Sequence, residues 1–217
     1  DYLYVLDLGI LRRVHKGSGE VATVIDPATG KPWQTKHPLN RHGLASDGKR
    51  LYIVAHSIWS FDPTTARFEH LAGDPSSDEI VDGVGKDVRL WGSGAAFFKG
   101  ALYFAEDCLI RRFDLATREV RTFAGTLVPP DSCLSGPADG QGPNAEFFRL
   151  HDLVATSEAL YAVEHLNLDD KNVSEQVYAP YFGRIRRFDP DTALVKTVAG
   201  QLVGASAALG EKLGAAA

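Results

Sequence analysis

The chain has 217 residues, 44% of them apolar and 24% charged. These are ordinary proportions for a globular protein, and the length suffices to bury roughly 70% of the unfolded surface. A net charge of −5 argues against nucleic acid, whose phosphates reward a basic stripe. No apolar run reaches the roughly 18 residues of a membrane span, and residues 201–217 are merely rich in Ala and Gly. Asp1 opens inside a strand-like run with no charged-then-apolar leader, and the sequence holds no methionine, so a missing natural N-terminus is expected.

In chain order, one unit recurs. Its core is a Leu-Tyr pair at Leu3-Tyr4, Leu51-Tyr52, Leu102-Tyr103 and Leu160-Tyr161, spaced by 48, 51 and 58 residues. A second apolar strand follows each core: Leu11-Arg12-Arg13-Val14, Ile58-Trp59-Ser60-Phe61, Ile110-Arg111-Arg112-Phe113 and Ile185-Arg186-Arg187-Phe188. Turns begin at Asp62, Asp114 and Asp189, where the Asp side chain caps the turn; Pro63 and Pro190 preset φ. A further strand closes each unit over 21–25, 68–72, 120–124 and 195–199, and three of the four end in Ala-Gly, at Gly73, Gly125 and Gly200. Loops carrying Asp82-Gly83-Val84-Gly85 or Asp139-Gly140-Gln141-Gly142 then lead to a new first strand, such as 147–155. Four short strands per unit of about 50 residues is the pattern of propeller blades. The absence of a sustained 3.6 period excludes helical solenoids. The predicted fold is an all-β propeller of four-stranded antiparallel blades, about four of them in this chain, within a six-bladed ring.

The series Asp-Gly-x-Gly, first strand, Leu-Tyr core, Ile-Arg-Arg-Phe-Asp and terminal Val-Ala-Gly resembles the NHL-repeat family of β-propellers. The resemblance spans nearly the whole chain and is fullest over 82–125 and 139–200. The second unit departs from it with Trp59-Ser60 in place of the paired arginines, and the first has Asp26 in place of its Ala-Gly. Residues 1–217 read as one NHL-like domain whose first blade lacks its innermost strand and whose fifth is only begun. The six blades implied by the family would take about 300 residues at about 50 each. Further blades from the same parent chain, or a partner chain, are therefore expected to cover edges that would otherwise invite aggregation.

Because blade strands alternate in direction, the turn after the second strand and the loop between blades share one face. The long insertions 74–86, 126–142 and 167–183 all fall there, and the last carries Tyr178, Tyr181 and Phe182, the predicted binding residues. Cys108 and Cys133, the only cysteines, fall on that face too and are expected to form a disulfide, which suits a secreted, periplasmic or cell-surface location. His42 and His151 each lie nine residues before a core leucine, and His56 and His165 five after one. Asp107 is the counterpart of the latter pair, and Glu106 and Glu164 match Asp7. Imidazoles and carboxylates at a channel mouth are ligands for a divalent cation such as Zn or Ca, and a bound metal can acidify water. This arrangement is similar to the channel-mouth histidines of NHL-like lyases that amidate peptides or inactivate streptogramins. No nucleophile–base constellation is legible. The leading expectation is a non-catalytic scaffold that recognises a protein or glycan through the long-loop face and needs no cofactor. The alternative is a metal-assisted lyase or hydrolase centred on His42, His56, His151, His165, Glu106, Asp107 and Glu164.

Overall fold

The computed structural model describes residues 1–36, 42–76, 79–128, 132–133, 138–166 and 182–200. Among them no α-helix occurs; the helical content is two short 3-10 segments, Gly85–Asp87 and Gly142–Asn144. The apolar runs pair into four antiparallel sheets, taken in chain order. The first holds Tyr2–Asp7, Ile10–His15 and Val21–Thr23. The second holds Gly43–Ser46, Leu51–Val54, Ile58–Asp62 and Arg67–Ala72. Ser93–Phe98, Ala101–Glu106, Leu109–Asp114 and Glu119–Ala124 make the third. Arg149–Ala155, Leu160–Leu166, Phe182–Asp189 and Leu194–Ala199 make the fourth. The repeat fixes register as well as order, since the core tyrosines oppose equivalent partners: Tyr4 faces Arg13, Tyr52 faces Ser60, Tyr103 faces Arg112 and Tyr161 faces Arg187.

Turn chemistry accounts for the connections. Asp62, Asp114 and Asp189 each accept N–H bonds from residues two or three further on, at 2.8–3.2 Å. Four residues after each aspartate, Ala66, Arg118 and Ala193 take positive φ to close the hairpin. The terminal Ala-Gly has a separate cause. Gly125 sits at φ 91°, and a Cβ there would lie 2.2 Å from the Cys108 carbonyl oxygen, so the outer strand must end in glycine to pass the turn beside it.

The sheets stack face on face, and side chains from neighbouring sheets interdigitate. Leu11, Val24 and Trp33 meet Leu51, Ile53 and Phe61. Tyr52, Val54 and Ile58 meet Leu102, Phe104 and Phe113. Tyr103, Ala105 and Ile110 meet Leu160, Ala162 and Phe188. The innermost strands of the second, third and fourth sheets run side by side. A Cβ on Gly94 would fall 2.3 Å from Asp152 Cα, which shows how closely they converge. Antiparallel sheets packed in series around converging inner strands are the blades of a β-propeller.

Two details differ from the sequence expectation. The third and fourth blades have five strands, because Gly83–Val84 pairs with Glu119–Ala124 and Gly140–Gln141 with Leu194–Ala199. The connecting segment thus covers the outer edge of a blade before running inward, which shields an otherwise open edge. In the first blade the closing strand stops at Thr23, and Ile25–Asp26 folds back on Lys31–Pro32. The side chain of Asp26 caps that turn through the Ala28 N–H at 2.9 Å, and the hairpin delivers Trp33 to the core.

Candidate functional site

The turn after the second strand and the interblade loops meet on one face, as their topology requires. Between the first two blades they enclose a pocket of about 160 Å³ lined by Thr35, Lys36, His56, Ser57, Trp59 and Pro75. Lys36 Nζ donates to the Pro75 carbonyl at 3.1 Å, and Trp59 Nε1 donates to Ser57 Oγ at 3.0 Å. His56 is buried and stacks on Trp91 with ring centroids 5.7 Å apart, while Trp91 itself is exposed. The pocket thus combines an ammonium, hydroxyls and aromatic faces. Those groups suit a small polar ligand with an apolar side.

The repeat-equivalent carboxylates have a different fate. Glu106 is buried against Arg111 and accepts the Trp91 N–H. Arg111 also pairs with Asp82 at 2.8 Å, and Asp82 accepts the Thr122 N–H at 2.9 Å. The fourth blade repeats the set. Glu164 accepts the Phe148 N–H and pairs with Arg186 at 2.9 Å and Arg184 at 2.7 Å. Arg186 meets Asp139 at 3.2 Å, and Asp139 takes the Thr197 N–H at 2.8 Å. The Asp-Gly-x-Gly aspartates therefore serve to hold arginine and threonine. Burial pushes the Glu106 carboxyl up to about 7, against the opposing pull of Arg111 and the Trp91 N–H.

The second blade replaces the whole set at once. Ala55 stands at the glutamate position, Trp59 at the arginine and His70 at the threonine. Trp59 meets His70 edge-on at 5.0 Å and Trp33 at 5.9 Å. Sequence reasoning assigned Glu106 and Glu164 as candidate ligands and passed over their arginine partners. The signal was available in the spacing, since Asp7–Arg12 and Glu106–Arg111 are both five residues apart and both are paired.

The remaining predicted residues are distributed as follows. His42 Nε2 and Thr35 Oγ1 are 2.9 Å apart. His151 is half-buried on the innermost strand of the fourth blade, and Asp107 lies 3.9 Å from Arg149. The backbone of His165 faces Gly183, and that of Phe182 faces Leu166; the side chains of both, together with Tyr178 and Tyr181, lie outside the described residues. Among the described residues, no group of three or more His, Cys, Asp or Glu side chains could hold a metal ion. Cys108 is buried and is not a free thiol, and the backbone of Cys133 pairs with Leu127. Sequence reasoning missed Thr35, Lys36, Trp59 and Trp91, which come from three separate segments and carry no common motif.

No protein-family model and no curated protein matches the chain. Among solved structures it is similar to a Bacteroides thetaiotaomicron protein described as a candidate phosphatase, with a TM-score of 0.53 and 17% identity over 93% of this chain and 46% of that one. It is also similar to the WD40 domain of Neurospora crassa Pan2, with a TM-score of 0.42 and 12% identity over 91% of this chain and 51% of that domain. A third match is the tricorn protease, with a TM-score of 0.32 and 12% identity over 93% of this chain and 30% of that one. The chain spans about half the length of the first two structures. At these identities the likeness is one of fold alone.

The raised carboxyl of Glu106 makes stability depend on pH in a defined sense. The folded state holds a proton up to about pH 7 that an ordinary carboxyl releases near 4.5. Its contribution is complete below 4.5 and is lost as pH rises through 7. Glu106→Gln removes this slope, so the melting temperature of the variant should gain on that of the parent between those two values. A difference between the two proteins that stays constant with pH contradicts the assignment.

Proposed function

We propose that the chain is part of an NHL-repeat propeller, in a ring of six blades, that acts as a non-catalytic scaffold outside the cytoplasm. It takes a protein or glycan ligand on the face where the interblade loops meet the second-strand turns. The observation that carries this reading is the pocket lined by Lys36, Thr35, His56 and Trp59, beside the exposed Trp91. Aromatic faces next to hydroxyl and ammonium donors fit a ligand that presents both an apolar side and polar groups. Burial of Glu106 and Glu164 against arginine supports a structural use of these acids over proton transfer.

Cys108 is buried, and a disulfide there would suit an oxidising compartment. We propose Cys133, the sequence's other cysteine, as its partner. The unreduced protein should then resist alkylation and yield one cross-linked peptide joining residues 108 and 133. Recovery of two alkylated cysteines without reductant contradicts the bridge.

The ligand reading is tested by screening the fluorescently labelled chain against printed glycans and printed secreted proteins. A retained probe should lose affinity about tenfold or more with Trp91→Ala and with Lys36→Ala, as truncation of a central contact does, while the far-ultraviolet circular dichroism is unchanged. Retention unaffected by either substitution, or no retained probe at all, contradicts the proposal.

A further inference from the structure

The pocket between the first two blades is built by three segments, each held by main-chain hydrogen bonds. Thr35 donates its N–H to the Gly9 carbonyl at 3.0 Å and Trp33 to that of Val24 at 3.1 Å, which fixes residues 33–36 against the first blade. Ala55 donates to the Ser57 carbonyl at 3.1 Å across the turn that carries His56. Asp74, next to Pro75, donates to the Val88 carbonyl at 3.1 Å. Lining groups held in this way lose little conformational freedom when a ligand arrives.

The lining has a definite charge. It includes the Lys36 ammonium, the His56 imidazole, the Gln34 amide and the Thr35 and Ser57 hydroxyls, and among the described residues no carboxylate lines it. This occurs in a chain whose net charge is −5. The Pro75 carbonyl takes one of the three ammonium donors at 3.1 Å and anchors Nζ at the loop. The neighbouring Asp74 carboxyl is held below its usual range first by the Ser76 hydroxyl and N–H, at 2.7 and 2.9 Å, and then by the charges of Arg89 and Lys36. Asp74 is thus committed chiefly to Ser76 and to Arg89, 3.6 Å away, and the pocket keeps a positive end.

Beside that end stands an aromatic wall. Trp91 is 43% exposed, yet its backbone is fixed on both sides. Its own N–H goes to the buried Glu106 carboxyl, and the next N–H, of Gly92, goes to the Ala55 carbonyl at 2.8 Å. The ring lies against His56 at an interplanar angle of 24°. Inside the pocket, Trp59 is held through its Nε1 bond to Ser57. A large ring kept in water by a rigid backbone is a platform for the apolar face of a ligand. A volume of about 160 Å³ is small for a ligand pocket and admits one ring rather than a length of chain.

We propose that the pocket takes an acidic saccharide, with the carboxylate of a terminal uronic acid on Lys36 and the carbon-bound hydrogens of its ring against tryptophan. A uronate unites the features of the site: one negative charge, hydroxyls that Thr35, Ser57 and His56 can meet, and an apolar ring face. A single ammonium matches a singly charged group better than a phosphate dianion, whose usual partner is a guanidinium fork. The inference rests on the ligand reading proposed above and narrows it to a chemical class.

Printed uronate-terminated oligosaccharides, each beside the same oligosaccharide with its carboxyl reduced to the alcohol, test it. The labelled chain should hold the acid about tenfold more tightly than the alcohol, the worth of one charge-assisted hydrogen bond. Lys36→Met should abolish that preference and Lys36→Arg should keep it. Salt raised to about 0.5 M should weaken retention of the acid alone. The salt series needs no variant, and it decides the matter if Lys36→Met loses its sheet content by circular dichroism. Equal retention of acid and alcohol overturns the proposal, as does a preference that survives Lys36→Met or high salt. Retention of a neutral glycan or a protein that still depends on Trp91 overturns this inference and leaves the ligand reading intact. No retained probe overturns both.

Discussion

A carboxylate buried between two β-sheets is tolerated only with a cation and hydrogen-bond donors against it, and this constraint shapes the third and fourth blades. Glu106 and Glu164 are almost fully buried, and each is met by a guanidinium from the adjacent strand and a main-chain N–H from the segment leading inward. The arginine in turn draws the aspartate of the connecting loop, and that aspartate fixes a threonine on the outer strand. One ionic group thus ties together the second, third and outer strands of a blade and the loop arriving from the blade before. Removing charge from water is costly enough that such a set adds little net stability over an apolar core of equal volume. Losing only one member is far worse, because it strands the other. The group therefore acts mainly on register and loop path.

The second blade shows the same logic from the opposite side. Its glutamate, arginine and threonine positions hold Ala55, Trp59 and His70 together, and the space fills with aromatic contacts to Trp33. A single replacement would leave a buried charge without a counterpart, whereas the concerted one leaves none. Freed of the ionic set, this corner opens as the lined pocket beside His56 and Trp59. Scaffold and candidate binding site are thus alternative uses of one position in the repeat.

Much of this was legible in the sequence. The Leu-Tyr core, the aspartate turns and the terminal Ala-Gly each encode a local requirement, and each falls where the repeat places it. The fifth strands were not legible, because two paired residues are too short to show a period of two. The arginine partners of the buried acids were legible only in part, where the spacing repeats. In the fourth blade Glu164 and Arg186 are 22 residues apart across an insertion, while in the third Glu106 and Arg111 are five apart. Spacing alone shows an acid in the right place without showing which cation reaches it. The pocket left no trace in the sequence, since residues 34–36, 55–59 and 75 meet only after the blades stack.

The account stands on the claim that the buried pair is held as a unit. It is tested most directly by a double-mutant cycle that gives the third blade the residues of the second: Glu106→Ala, Arg111→Trp and both together, with unfolding free energies from denaturant titration at about pH 8, above the range in which Glu106 holds its proton. Each single change should cost about 3–5 kcal/mol by leaving a buried charge uncompensated. The double variant should cost less than the sum of the two single changes, by a coupling energy of about 1–3 kcal/mol. Costs that simply add would contradict the claim.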